Sequence, residues 1–363
     1  MAGDDDDDDE PSTPNAEGPR PVVAPTPVPR PGLRQDTYVE GLALPVAFEF
    51  DPAGRLFVNE LEGRVRLVEG RTLRPEPVIT LPTTRGLEQG ATGLALDPDF
   101  ARNHYVYILY AEAREGTNEP RRHRIIRFME SNGTAGERTV IYDNLPIGKP
   151  APNNVNGDHN GGRIGFGRDG KLYVTMGDTA QRTLASRLPN PHGKMLRLNP
   201  DGSVPDDNPY PKLATFASGF RSPFGLDFHP VSGEPYVTDN GPKGHDEVNR
   251  VVPRGHYGWP STVTGGPGPS PVNVAAVWDS GSDRYGPTGM AFYRGDAIPE
   301  LKHNLLFCDW NSGSLWRLIL SGPNFDQASP AEVLAQPCRL DVRNGPDGAV
   351  YFSDHRAIYR LGP

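Results

Sequence analysis

The chain has 363 residues, of which only 36% are hydrophobic, while Gly (42) and Pro (40) are both abundant. That balance disfavours long amphipathic helices and favours many short strands joined by turns. A formal charge of −9 argues against a nucleic-acid partner, which needs a basic surface, and no apolar run approaches a membrane span.

Residues 1–35 open with an acidic block, DDDDDDE, and continue through a Pro-rich tract. Like charges repel, Pro withholds backbone donors, and little apolar surface offsets chain entropy, so a disordered tail is expected before a domain spanning 36–363. No basic segment followed by an apolar one marks a signal peptide. Acidic, Pro-rich tethers are common ahead of exported domains, so a periplasmic or secreted location is expected.

From about residue 38 one phrase recurs: an apolar strand, a polar turn, then an aromatic-rich strand. Its copies are FEFDPAGRLFVNE, LALDPDFARNHYVYILY, IGFGRDGKLYVTMGD, LDFHPVSGEPYVTDN, MAFYRGDAIPELKHNLLFCDW and LDVRNGPDGAVYFSD. Each precedes a strand with an Arg between bulkier neighbours, at Arg66, Arg127, Arg197, Arg250, Arg317 and Arg360. Six copies of a three-strand phrase, with a further strand in each spacer, predict an all-β protein: a six-bladed β-propeller of four-stranded antiparallel sheets. Its ends are expected to meet and seal the ring by sharing strands. Because the six arginines recur in every copy, a structural role is expected for them.

Residues that break the repeat are the candidates for chemistry. In GDHNGGRIGF, His159 and Arg163 sit among glycines. This stretch either presents a proton-shuttling imidazole to a ligand or is a glycine-rich turn with a hydrogen-bonded histidine. Asp178 ends the following strand and either orients His159 or caps its turn. Arg221, in GFRSPFG, either stabilises negative charge or pins a loop. NGPKGHDE places the Gly241 and Pro242 carbonyls near Asp239, Asp246 and Glu247, an oxygen-rich loop of the kind that suits Ca²⁺. Cys308 and Cys338 form either one disulfide or two buried thiols.

Together, LALDPDF, GDHNGGRIGFGRDGKLYVTMGD, GKMLRLNPDGSVPDDNPY, GFRSPFGLDFHP, NGPKGHDEVN and HYGWP resemble, in order, the soluble quinoprotein sugar dehydrogenases. These glucose/sorbosone dehydrogenase-like six-bladed propellers use pyrroloquinoline quinone (PQQ) and Ca²⁺. The resemblance covers residues 38–363 and implies oxidation of an aldose-type sugar to its lactone, with an external electron acceptor. It implies that His159 is the general base, Asp178 its orienting acid and Arg221 a partner of the reactive quinone carbonyl. Gly241 and Pro242 match the carbonyls that hold Ca²⁺. Ser222, Asn311 and Arg339 fall at or beside cofactor-contacting positions.

The chain departs from the family there. Ser222, Pro223 and Phe224 replace Asn-Pro-Gln, Asn311 stands for a lysine, and Cys338 and Leu340 stand for two arginines. PQQ carries three carboxylates, and burying unpaired charge is costly. Arg339, Arg343 and Lys243 are the cations available to compensate, and a Cys308–Cys338 disulfide would replace part of the wall. Two other functions fit the same frame. A Ca²⁺-dependent lactonase-like hydrolase would use Asn154, Asn156, Asn160 and Asn240 at the mouth. A non-catalytic propeller binding carbohydrate or protein would show an exposed aromatic cluster.

Overall fold

The computed structural model describes residues 30–84, 86, 88–148, 157–260 and 272–363. Most of the acidic tail, and with it the expected disorder, lies outside the described residues, as do Asn154 and Asn156. The protein is an all-β propeller; its described helices are one four-residue α-helix, Phe100–Asn103, and two single 3₁₀ turns.

Among the described residues there are six sheets of four or more strands and one two-stranded hairpin. The innermost strands are Pro45–Phe50, Gly93–Leu96, Gly161–Phe166, Pro223–Phe228, Pro287–Phe292 and Val342–Asn344. From first to last, each packs against the next. The last sheet meets the first where Ser353 Oγ donates to Pro45 O at 3.0 Å and Phe48 N donates to Asp341 Oδ2 at 3.1 Å.

The second strand of each sheet lies between neighbouring sheets, so it is buried on both faces. Leu56–Glu60, Leu172–Met176, Pro235–Asp239 and Leu305–Asp309 are buried at every residue, and they read as apolar runs, not as alternation. The turns between first and second strands of the first, third and last sheets are tied by aspartates. Asp51 Oδ1 accepts Ala53 N and Arg55 N, at 2.9 and 2.8 Å, and Asp169 and Asp347 repeat the device.

The chain ends meet: Arg34–Glu40 pairs antiparallel with Ala357–Gly362 and completes the last sheet. The uniform four-strand expectation needs correction, since three of the six sheets have four strands, two have five and one has six. An outermost strand presents unpaired backbone groups, and spacer segments add to them. Thr72–Leu73 and Ile79–Thr80 both pair with Arg64–Glu69, and Gly255–His256 joins Thr215–Ser218 in parallel.

The repeated arginines are structural. Arg197 pairs with Asp169 and Asp207, Arg250 with Glu234, Arg317 with Glu332 and Arg360 with Asp347, while Arg127 lies 4.1 Å from the Tyr105 ring centre. Arg163 is different. It is 1% exposed, 3.3 Å from Asp341 Oδ2, and donates to Val46 O at 3.1 Å, so it ties the third sheet to the first and last at the propeller's centre.

Cys308 and Cys338 form a disulfide linking the fifth sheet to the segment that enters the sixth.

Candidate active site

A cavity of about 450 Å³ opens where the innermost strands begin. Every sheet contributes to its wall: Leu44, Val46 and Leu61, then Glu88, then Asp158 and His159, then Arg221, Ser222, Phe224 and Asn240. Gly286, Pro287, Thr288 and Trp310 follow, and Leu340 and His355 close the circle.

His159 precedes the strand Gly161–Phe166, with its backbone in the left-handed region at φ 59°. A non-glycine residue held there costs on the order of 1 kcal/mol and is commonest at functional sites. The glycines around it have a steric reason. At Gly177 a Cβ would collide with the His159 carbonyl oxygen, which accepts the Thr179 N–H at 3.0 Å. At Gly161, where φ is 65°, a Cβ would sit 2.9 Å from Pro223 O.

His159 Nδ1 lies 2.9 Å from Asp178 Oδ1. Asp178 is fully buried, and its carboxylate also accepts Ala180 N at 2.8 Å and the Trp259 indole N–H at 2.6 Å. A buried carboxylate acting as acceptor to three donors fixes the imidazole so that Nδ1 carries the proton and Nε2 is the free base.

Arg221 precedes the next innermost strand. Its backbone N–H and that of Ser222 donate to the two oxygens of Asp239, at 3.0 and 2.6 Å. Burial pushes the Asp239 carboxyl up to about 7 despite those donors. The Arg221 guanidinium gives one donor to Asn240 O at 3.0 Å, while its Nε is buried with no hydrogen-bond partner. Burial also raises the Glu88 carboxyl, which accepts Asn160 N at 3.2 Å.

His159, Arg221 and Ser222 therefore share one cavity, with Asp178 directly behind His159. Asn311, Arg339, Gly241 and Pro242 lie outside its lining. Asn311 donates its amide to Arg284 O at 3.0 Å, and Arg339 donates to the backbone carbonyls of Trp310 and Asn311. Arg343 pairs with Asp341 at 3.0 Å, and Lys243 is not a lining residue. Gly241 follows Asn240, and its N–H donates to Asp246 Oδ1 at 3.1 Å. Among the described residues, no group of three His, Cys, Asp or Glu is placed to hold a metal, so a cation at Gly241 and Pro242 would depend on backbone carbonyls.

The cavity is thus split. One side carries His159, Arg221, Glu88 and Asp158; the other is Leu44, Leu61, Pro287, Trp310, Leu340 and His355. Arg221 is the single Lys or Arg among the described lining residues. The residues present fit the quinone end of a PQQ-like cofactor, because the orphaned Arg221 Nε lacks just such an oxygen acceptor. Leu340 lines the side where the resemblance implies an arginine, and it brings no charge there.

Of the asparagines in the hydrolase reading, the two described ones are engaged by protein partners. Asn160 is spent on Gly148 N and Gly157 O, and Asn240 on Ser222 O and Pro287 O. Among the described residues, the exposed aromatics at the mouth amount to Trp310 against His355, 5.0 Å between ring centres. Glu88, Trp310, His355 and Trp259 were not singled out from sequence. Trp259 and Trp310 lay in quoted phrases, HYGWP and LLFCDW, but none of the four stands out by spacing.

A family model described as glucose/sorbosone dehydrogenase matches residues 42–360. The aldose sugar dehydrogenase YliI of Escherichia coli is 26% identical over 277 residues, 72% of this chain and 73% of that protein. Quinoprotein glucose dehydrogenase B of Acinetobacter calcoaceticus is 30% identical over 256 residues, 62% of this chain but only 52% of the relative. Among solved structures, a glucose dehydrogenase-type oxidoreductase of Thermus thermophilus is 32% identical, with a TM-score of 0.78 over 91% of this chain and all of its own.

Proposed function

The chain belongs to the glucose/sorbosone dehydrogenase family and is a PQQ-dependent sugar dehydrogenase-like enzyme, and we propose that it oxidises an aldose-type sugar to its lactone in this cavity. The observation that carries the reading is His159, held by Asp178 at 2.9 Å, sharing one cavity with an arginine whose Nε lacks a partner.

His159 takes the proton of the sugar C1 hydroxyl at Nε2, since Asp178 occupies the Nδ1 side. PQQ, when bound, supplies the acceptor for the C1 hydride. Arg221 donates to the oxygen that gains negative charge, and being fixed by Asn240 it needs no reorganisation to do so. Ser222 lines the same wall, and the Gly241 and Pro242 carbonyls would hold Ca²⁺ beside the cofactor. The reduced cofactor would need an external electron acceptor to return it to the quinone. Each of the six large sheets forms one blade. The disulfide suits an oxidising compartment, which supports a periplasmic or secreted location.

His159→Ala tests the role of the base. Sugar-dependent turnover should fall at least ~100-fold, the usual scale of general-base catalysis, with the melting temperature within a few degrees of the parent. Retained turnover would sink the reading, and loss of the fold would mark His159 as structural.

A further inference from the structure

Trp259 joins the two halves of the catalytic wall. It is 9% exposed, and its backbone is fixed to the third sheet, with N–H donating to Gly219 O at 3.1 Å and O accepting Ser186 Oγ at 3.2 Å. From there the indole N–H donates to Asp178 Oδ2 at 2.6 Å. Both other donors to that carboxylate, His159 Nδ1 and Ala180 N, use Oδ1. The face of the same indole lies 5.5 Å from the Arg221 guanidinium, with Arg182 also within 5.2 Å of the ring centre.

We propose that Trp259 is a positioning residue for the reaction: its N–H fixes the carboxylate that orients His159, while its ring holds Arg221, so that base and guanidinium keep one geometry. The inference rests on the reading of His159 as base. A fully buried carboxylate oxygen without a donor carries a desolvation penalty and is free to turn toward other partners.

The test is Trp259→Phe, which keeps an aromatic face for Arg221 and removes the N–H together with the five-membered ring. Side-chain nitrogen NMR on the labelled, cofactor-free protein follows His159 through a pH titration. Losing one donor to Asp178 should move the His159 midpoint upward by about 0.5–1 pH unit, because the carboxylate then binds the imidazolium more tightly. In the wild type, the Trp259 indole N–H resonance should shift in step with His159 protonation, a readout that survives if the variant folds poorly. Turnover should fall about 10-fold with the sugar KM little changed, and adding Trp259→Phe to His159→Ala should cost nothing further. An unchanged His159 midpoint together with a pH-silent indole resonance overturns the proposal. Failure of the base reading shows separately, as turnover retained in His159→Ala.

Discussion

Histidines in this protein divide by environment, not by type. His159 faces a cavity and an aspartate, whereas His123 is fully buried on the strand Pro120–Ser131. His123 Nδ1 donates to Pro146 O at 2.6 Å, and its Nε2 has no partner. Burial pushes the imidazole from its usual 6.5 down to about 4. A depressed value means that the unfolded chain binds the proton more readily. The contribution is fully present above pH 6.5 and is lost as pH falls toward 4. We expect wild-type stability to drop by an extra 1–3 kcal/mol, roughly, across that window relative to His123→Asn, read from melting curves at both ends. Parallel pH profiles would contradict it. At this scale the sequence was half legible. His159, Asp178 and Arg221 stood out because they break a repeat. Glu88, His355 and Trp259 did not, because chain segments far apart in sequence bring them to the site.

At the scale of elements, the repeat itself was the signal. Six phrases became six sheets because each pairs an apolar run with a tight polar connection, tied by Asp51, Asp169 and Asp347 in three of them, and both are local features. The extra edge strands were not legible, since two-residue segments such as Thr72–Leu73 pair only because an open edge lies beside them. On the fifth and sixth sheets the resemblance implies cationic side chains that this chain does not place in the cavity. Leu340, 5% exposed, lines the cavity, Arg339 is turned onto the carbonyls of Trp310 and Asn311, and Cys338 is committed to Cys308. A cofactor with three carboxylates meets a largely neutral wall there. Leu340→Arg should therefore tighten PQQ binding about 10-fold or more, equivalent to roughly 1.4 kcal/mol, in a cofactor absorbance titration. Equal or weaker binding in a folded variant would mean that the carboxylates lie elsewhere.

Over the whole molecule, closure and the site are connected. The strand Arg34–Glu40 seals the last sheet, and Arg163 and Asp341 bind the third, first and last sheets beneath the cavity floor. The site sits at one mouth because every innermost strand begins there, and the residues just before those strands, His159, Arg221 and Ser222 among them, face a common space. The fold is that of the dehydrogenase family and His159 with Asp178 is the proton-transfer pair we propose, while Arg221 is the single Lys or Arg among the described lining residues, so cofactor binding is the point on which the account turns. Its most direct test is to titrate the purified protein with PQQ, with and without Ca²⁺, following quinone absorbance, and then to add an aldose. The account predicts saturable, Ca²⁺-dependent binding and loss of the oxidised quinone signal when the sugar is added. No binding at roughly tens of micromolar, well short of ordinary cofactor affinity, would contradict it and leave a dehydrogenase fold without its cofactor.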